Sequence, residues 1–258
     1  MKVAYELVNA RREKLAQMLQ DQAYIPISNV CAQLNISEAT ARRDLAYLEA
    51  NQRIVRTYGG ALVEYNQKFP SFLERQQVEL KGKKKLGKVA RDLIIPKSTC
   101  FFDAGTTIYA LAIELKQKPV EGVKIVTNSL PIAELMTGVQ GIEVHLLAGQ
   151  YLHRQGVIFG EATIKTLRFY DIDDAFMSAE GFDQKGLWNS DATVVEFQRQ
   201  VIRQSSRKVF CLGAEKMGKR APVFLSDWGN VNVLISDAIS SDLPVYSQAQ
   251  FKGKIFSI

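Results

Sequence analysis

Residues 36–63 read ISEATARRDLAYLEANQRIVRTYGGALV, and two structural periods meet inside that stretch. Ser37 carries a hydroxyl able to accept from an unpaired amide in a helix's first turn, so the spacing predicts a helix capped there. Ala41, Leu45 and Leu48 follow at i, i+4 and i+7 and form the face turned to a core. Glu38, Thr40, Arg42 and Arg43 are left on the other faces near the helix start. Arg53-Ile54-Val55-Arg56 then alternates polar with apolar, as a half-exposed strand does. Tyr58-Gly59-Gly60 supplies a turn, and Ala61-Leu62-Val63 returns as the partner strand.

Upstream, Val8, Leu15, Met18 and Leu19 give a helical period from about Ala4 to Asp21. Pro26 interrupts the chain, Ile27, Val30, Cys31 and Leu34 mark a shorter helix, and Asn35-Ile36 makes a tight connection. Three helices and a hairpin within residues 1–65 make the pattern of a winged helix-turn-helix. In that arrangement the third helix fits the major groove of duplex DNA and the ribbon reaches phosphates or the adjacent groove. The candidate DNA-binding residues are Ser37, Glu38, Thr40, Arg42, Arg43, Arg53, Arg56, Tyr58 and Gly59. A helical dimerisation domain with a surface hairpin is the blander alternative. The gathering of arginines at 42, 43, 53 and 56 favours DNA, since a guanidinium fork serves either a phosphate or a guanine edge. Tyr47 either reaches a phosphate or pads helix packing.

A chain of 258 residues with 47% hydrophobic content is long enough for two domains. The net charge of +6 is unevenly placed. Residues 1–65 carry eight Lys/Arg against seven Asp/Glu, residues 66–97 nine against three, and residues 98–258 sixteen against seventeen. The excess lies around Lys81, Lys83, Lys84, Lys85, Lys88 and Arg91, where a solvated helix face and a DNA contact would look alike. No apolar run is long enough to span a bilayer, and the N-terminus lacks the pattern of a signal peptide, so a cytoplasmic protein with no membrane partner is expected. Cys31, Cys100 and Cys211 are odd in number and set in apolar stretches, which suits reduced, buried thiols. His145 and His153 have no cysteine partner nearby, so no metal site is expected.

Glu64 to Lys83 is polar and includes Pro70, and 66–82 is read as a linker with a short helix. From Thr99 onward short apolar runs end in small or polar residues and lead into helical patterns. Thr99–Phe102 leads to Asp103-Ala104-Gly105-Thr106-Thr107, and Val123–Val126 to Thr127-Asn128-Ser129. Val144–Leu147 leads to Ala148-Gly149-Gln150, and Val209–Leu212 to Gly213-Ala214-Glu215-Lys216. Repeated strand–turn–helix units over 83–258 indicate a mainly parallel α/β sheet with helices on both faces. Ligands of such sheets bind beyond the carboxyl ends of the strands. Asp103, Gly105, Thr106, Thr107, Thr127, Asn128, Ser129, Gly149 and Lys216 collect there as candidate effector-binding residues. Gly-Thr-Thr entering a helix suits a phosphate, Asp103 can accept from sugar hydroxyls, and Lys216 can supply a counter-charge.

Ser37-Glu38-Ala39-Thr40-Ala41-Arg42-Arg43-Asp44-Leu45 with Arg56-Thr57-Tyr58-Gly59-Gly60-Ala61 resembles the signature of the DeoR family of bacterial transcriptional regulators. Asp103–Thr107, Val126–Ser129, Asp174–Phe176 and Lys216–Gly218 occur in the order of that family's effector domain, so the resemblance spans nearly the whole chain. It implies a sensor domain similar in fold to ribose-5-phosphate isomerase, a phosphorylated sugar as effector, and Arg42 and Arg43 against DNA with Asp44 orienting a neighbouring arginine. It implies no cofactor. The chain departs from the family at Ala41, Asn51, Tyr58, Ala148, Gln198 (usually Lys) and Gly213-Ala214-Glu215-Lys216 (usually Asp-x-Ser-Lys). Gln198, and Glu215 beside Lys216, imply a less cationic site.

The leading expectation is a DNA-binding regulator of a carbohydrate catabolic operon, switched by a phosphorylated sugar and acting as a homo-oligomer on a double-stranded operator. The alternative is a sugar-phosphate isomerase carrying a DNA-binding appendage. That would need a carboxylate base such as Asp103, Glu180 or Glu196 in reach of substrate, and no pair of carboxylates has diagnostic spacing.

Overall fold

The computed structural model describes residues 5–21, 24–51, 54–57, 60–63, 70–239, 242–244 and 251–258. The chain divides into two compact units between Pro70 and Ser71.

In the first unit α1 (Tyr5–Asp21), α2 (Ile27–Leu34) and α3 (Glu38–Ala50) pack around Leu15, Val30, Ala41, Leu45 and Leu48. Ser37 caps α3, its Oγ accepting from the Thr40 amide at 3.3 Å. Asn35 makes the preceding connection with φ of 49°, a left-handed conformation that asparagine tolerates better than most residues. The wing strands are β2 (Ile54–Thr57) and β3 (Gly60–Val63). A third strand, β1 (Tyr24–Pro26), pairs antiparallel with β3, Tyr24 opposite Leu62 and Pro26 opposite Gly60. A three-residue strand gives too little alternation to be read from sequence, and Pro26, lacking an N–H, fits its place on an edge strand.

The second unit begins with α4 (Phe72–Gln77) and α5 (Leu80–Asp92). The expected 66–82 linker is corrected here, because from Ser71 onward it is part of this unit. Ser71 and Glu74 form a reciprocal capping box, and Phe72 is buried with its ring edge-on to Tyr109 at 5.2 Å. The Phe72 amide also donates to Arg154 O at 2.8 Å. Polarity suggested a linker; one aromatic anchor decides otherwise. Residues 66–69 lie outside the described residues.

Strands β4 (Thr99–Phe102), β5 (Val123–Thr127), β6 (Ile142–Leu146), β9 (Ile172–Met177), β12 (Ser205–Leu212), β14 (Val233–Ser236) and β15 (Lys254–Ser257) form one sheet. Its order is β15-β14-β12-β9-β4-β5-β6, and every neighbouring pair is parallel. A hairpin of β7 (Gln150–Leu152) and β8 (Val157–Phe159) and a small antiparallel sheet of β10 (Gly181–Phe182), β11 (Leu187–Asn189) and β13 (Val223–Ser226) flank it. Side chains alternate between two cores. Cys100, Phe102, Phe176 and Cys211 pack with Leu86, Ile108 and Leu111 of α5 and α6 (Thr106–Gln117). Phe101, Met177, Phe210 and Leu212 pack on the other face with Leu167 of α8 (Glu161–Leu167) and Phe197 and Val201 of α9 (Ala192–Gln204). The remaining helix, α7 (Leu130–Met136), follows β5.

After β4 the chain winds outward through β5 and β6, then returns to β9 on the other side of β4 and winds the opposite way. The carboxyl ends of β4 and β9 therefore flank a topological switch point, where open α/β sheets form their ligand crevice. Asp103 follows β4 and Ser178 follows β9.

Candidate functional sites

On α3, Glu38, Arg42 and Arg43 are exposed, Thr40 is half-buried, and Ser37 stands at the helix start, so these five share one accessible end of the helix. Arg42 Nη2 donates to Glu38 Oε1 at 2.5 Å, an i,i+4 pair open to solvent. Asp44 behaves differently. It is buried, and its two carboxyl oxygens accept from Arg11 Nε at 2.6 Å and Arg12 Nε at 3.0 Å, both on α1. Asp44 thus ties α1 to α3. The Arg12 guanidinium also lies over the Tyr47 ring, 3.7 Å from its centroid, so Tyr47 pads this contact. Arg56 falls in β2, while Arg53, Tyr58 and Gly59 lie outside the described residues.

At the switch point Asp103 is buried. Its Oδ1 accepts from the Ala104 amide at 3.0 Å and its Oδ2 from Gln198 Nε2 at 2.7 Å. Burial pushes the Asp103 carboxyl up, and Gln198, Ala104 and the Ser178 amide, with the charge of Lys216, offset that only in part. Gly105 caps α6, and Thr106 and Thr107 are buried in its first turn. Gly105 has φ of −90°, and an added Cβ would meet only Ser178 Cβ at 3.8 Å. Neither backbone strain nor packing requires glycine there, so its absent side chain leaves room over the helix start.

Thr127 and Ser129 are committed to the fold. Thr127 Oγ1 donates to Phe102 O at 2.7 Å and accepts from the Ser129 amide, and Ser129 Oγ caps α7. Asn128, fully buried, donates through Nδ2 to Ile158 O at 3.3 Å, and its Oδ1 finds no partner among the described residues. Such a buried acceptor is costly unless something donates to it. Gly149 has φ of +148°, and a Cβ there would come within 2.6 Å of Phe159 O, so the backbone itself demands glycine.

Lys216 lies in a short 3-10 turn, Ala214–Lys216, and donates to Ser178 Oγ at 2.9 Å; that hydroxyl in turn donates to Cys211 O. Burial lowers the Lys216 ammonium, and Glu215 and Glu180 oppose that. An added Cβ at Gly213 would run into the Glu215 carboxyl, so Glu215 folds back over the space that a side chain at 213 would fill.

Several residues at this edge escape sequence reasoning. Lys83, taken with its neighbours as a solvated or DNA-facing lysine, turns inward and donates to Arg75 O and Val78 O at 2.5 Å each. Burial, then the cations of Lys216 and Arg75, bring it down to about 8 against the pull of Glu215 and Glu79. Its mutual influence with Lys216 and Arg75 gathers three cations from three elements. Glu180, which accepts from Ser190 Oγ, also feels Lys216 and Arg75; desolvation raises its carboxyl and those cations lower it. Lys81, Lys84, Lys85 and Lys88 are exposed, and Arg91 donates twice to Lys118 O at the end of α6. Only the inward turn of α5 separates Lys83 from the rest of the run.

The described residues contain no group of three His, Cys, Asp or Glu suited to a metal ion; His145 lies between Tyr170 and Glu143. Cys100 and Cys211 are free and buried, and burial pushes both thiols up to about 12.

The family model of the DeoR C terminal sensor domain matches residues 78–238, and that of the DeoR-like helix-turn-helix domain matches residues 11–67. The chain belongs to the DeoR family. A DeoR-family chain with both parts is a transcriptional regulator, with a DNA-binding unit and a sensor unit, rather than an isomerase with an appendage. It is 27% identical to the HTH-type transcriptional repressor GlcR of Bacillus subtilis over 87% of this chain and 86% of that protein. It is 34% identical to the lactose phosphotransferase system repressor of Lactococcus lactis over 66% and 67%. It is 26% identical to the glycerol-3-phosphate regulon repressor of Escherichia coli over 88% and 90%. Among solved structures, ribose 5 phosphate isomerase A of Neisseria gonorrhoeae aligns over 54% of this chain and 53% of its own, with TM-score 0.40 and 13% identity. So slight a likeness carries no argument about this DeoR-family sensor. Among the described residues no helix is long and apolar enough to cross a membrane.

Proposed function

We propose that the protein is a cytoplasmic repressor of a carbohydrate catabolic operon, released from or seated on its operator by a phosphorylated sugar. The observation that carries the effector class is the meeting of Arg75, Lys83 and Lys216, the last of which also acts on the buried acceptor Asp103. A phosphomonoester needs cations at one end and hydroxyl acceptors at the other, and this edge offers both. The open start of α6 at Gly105 adds a helix N-terminus to the anion's surroundings. The three relatives are named as repressors, which supports repression over activation.

On the DNA side the exposed end of α3 would read the major groove through Glu38, Thr40, Arg42 and Arg43, with Ser37 near the phosphates and the wing residues Arg53, Arg56, Tyr58 and Gly59 alongside. Two or more copies would act together on symmetric half-sites. Effector binding shifts operator affinity only if the ligand binds the DNA-competent and incompetent arrangements unequally. Arg75 and Lys83 are suited to that, because α4 and α5 immediately follow the boundary between the two units.

The test is a gel-shift assay with the protein and its own upstream region, titrated with a panel of pentose and hexose phosphates and the parent sugars. At least one phosphate ester should change the half-saturation point while its parent sugar does not. Specific DNA binding unaffected by every ester, alongside no ester-induced thermal shift, would remove the effector reading.

A further inference from the structure

Gln198 lies on α9, 2% exposed, and both ends of its amide are used. The Glu180 amide N–H, which can only donate, shares its hydrogen between Asn189 Oδ1 at 2.9 Å and Trp188 O at 3.0 Å. Asn189 Nδ2 then donates to Gln198 Oε1 at 2.6 Å, and Gln198 Nε2 donates to Asp103 Oδ2 at 2.7 Å and to Ser178 O at 3.2 Å. The one-way donor at Glu180 and the one-way acceptor Ser178 O fix the direction of every bond in the chain. Asp103 is therefore held by neutral donors, Gln198 on one oxygen and Ala104 on the other. Lys216 stops short at Ser178 Oγ, and among the described residues no cation forms an ion pair with Asp103.

A carboxyl held this way has lone pairs left to accept and no cation paired with it, and burial pushes it up. A hydroxyl that arrives there finds an acceptor; a phosphate or carboxylate oxygen finds an acidic group and no paired cation. The cations lie toward Lys83, Lys216 and Arg75 instead. We propose that Gln198 is a positioning residue that gives the effector site a polarity: the Asp103 end takes sugar hydroxyls and the Lys83–Lys216 end takes a single anionic group, so the site selects a polyol monophosphate against a ligand anionic at both ends. The proposal rests on the phosphoester reading above and deepens it. A lysine at 198 would set an ammonium against Asp103, supply the cation that this end lacks, and admit a second anion.

Three probes test this by isothermal titration of the full chain: inorganic phosphate, fructose 6-phosphate and fructose 1,6-bisphosphate. The native protein should bind the monophosphate about tenfold or more tighter than the bisphosphate, the order expected when a second anionic group meets no cation in a partly hydrated site. Q198K should erase or invert that preference while leaving inorganic phosphate within a few-fold. D103N, nearly isosteric and free of any new side-chain bulk, should shift the ratio the same way, and it serves if Q198K fails to fold. A native preference for the bisphosphate, or a ratio unchanged in a folded Q198K and in D103N, overturns the proposal. Phosphate binding without binding of either ester also overturns it, since Asp103 would then accept nothing from the sugar. Failure of all three probes, phosphate included, overturns the phosphoester reading itself.

Discussion

The Lys83 ammonium is held by Arg75 through a backbone carbonyl at 2.5 Å while the Arg75 guanidinium lowers its proton affinity from nearby. One residue thus both seats the lysine and makes its charge expensive, which is the condition of a cation waiting for an anion. Lys83→Met is expected to weaken effector binding by about 1.5–3 kcal/mol, the scale of a hydrogen bond to a charged group, with operator binding retained. The pH dependence follows from the lowered value. Between about 8 and the ordinary 10.5, folded Lys83 is largely neutral while the unfolded chain's lysine is still protonated. The unfolded state then binds more protons, so this group makes the ligand-free protein more stable as pH rises through that window. Anion affinity runs the other way and declines above about 8. Thermal unfolding and titration calorimetry between about pH 7 and 10 should show both slopes flattened in Lys83→Met.

Asp44 is buried between Arg11 and Arg12, whose side chains keep about a fifth of their surface exposed. Removing a buried carboxylate leaves two guanidinium groups facing an empty acceptor position, and Asp44→Ala should destabilise the first unit by roughly 2–3 kcal/mol, less than a wholly buried pair because water reaches the arginines. Arg11→Ala and Arg12→Ala should each do less, since the other arginine remains. Denaturant unfolding followed by hydrogen exchange of the α1 amides reads this directly; equal protection in Asp44→Ala and the native chain would exclude the tie.

These cases show where sequence reasoning succeeds and stops. The third helix was readable because Ser37, Ala41, Leu45 and Leu48 encode cap and face within one segment. Asp103 to Thr107 was readable because a strand end, a glycine and a helix start are contiguous. Gln198 reaches Asp103 across 95 positions, and only the pairing of β4 with β9 and the packing of α9 bring them together. Lys83 was hidden differently: its neighbours in the lysine run face solvent, and composition does not record which one turns inward. Gly149 has a structural reason of its own to be glycine, its backbone conformation and the lack of space for a Cβ.

Arg42→Ala should lower specific operator affinity by about 1–3 kcal/mol, and comparison with a scrambled duplex decides how. Loss confined to the operator indicates a base edge, whereas equal loss on both duplexes with a salt slope reduced by about 1 indicates a phosphate. The fold should be indifferent, because the exposed Arg42–Glu38 pair is worth at most about 0.3–0.5 kcal/mol. Unchanged affinity at fixed salt would show that α3 is not the reading helix.

Gly105 and Gly149 make a matched pair for separating binding from folding. Gly105 has ordinary φ and an open Cβ position, so alanine there loses a little as a helix cap and gains a comparable amount by restricting the unfolded chain, for a net change within about 0.5 kcal/mol. Gly149 has φ of +148° and backbone within 2.6 Å of any Cβ, so Gly149→Ala should cost about 2–5 kcal/mol from strain and overpacking together. Ligand response should rank the other way once stability is matched. Gly105→Ala, well folded, should weaken effector binding because its methyl enters the space over the start of α6. Gly149→Ala, compared at a temperature where it is still folded, should keep an affinity near native. Denaturation midpoints and effector titrations of the two variants give both rankings, and a Gly105→Ala protein with native effector affinity would show that the ligand does not approach α6.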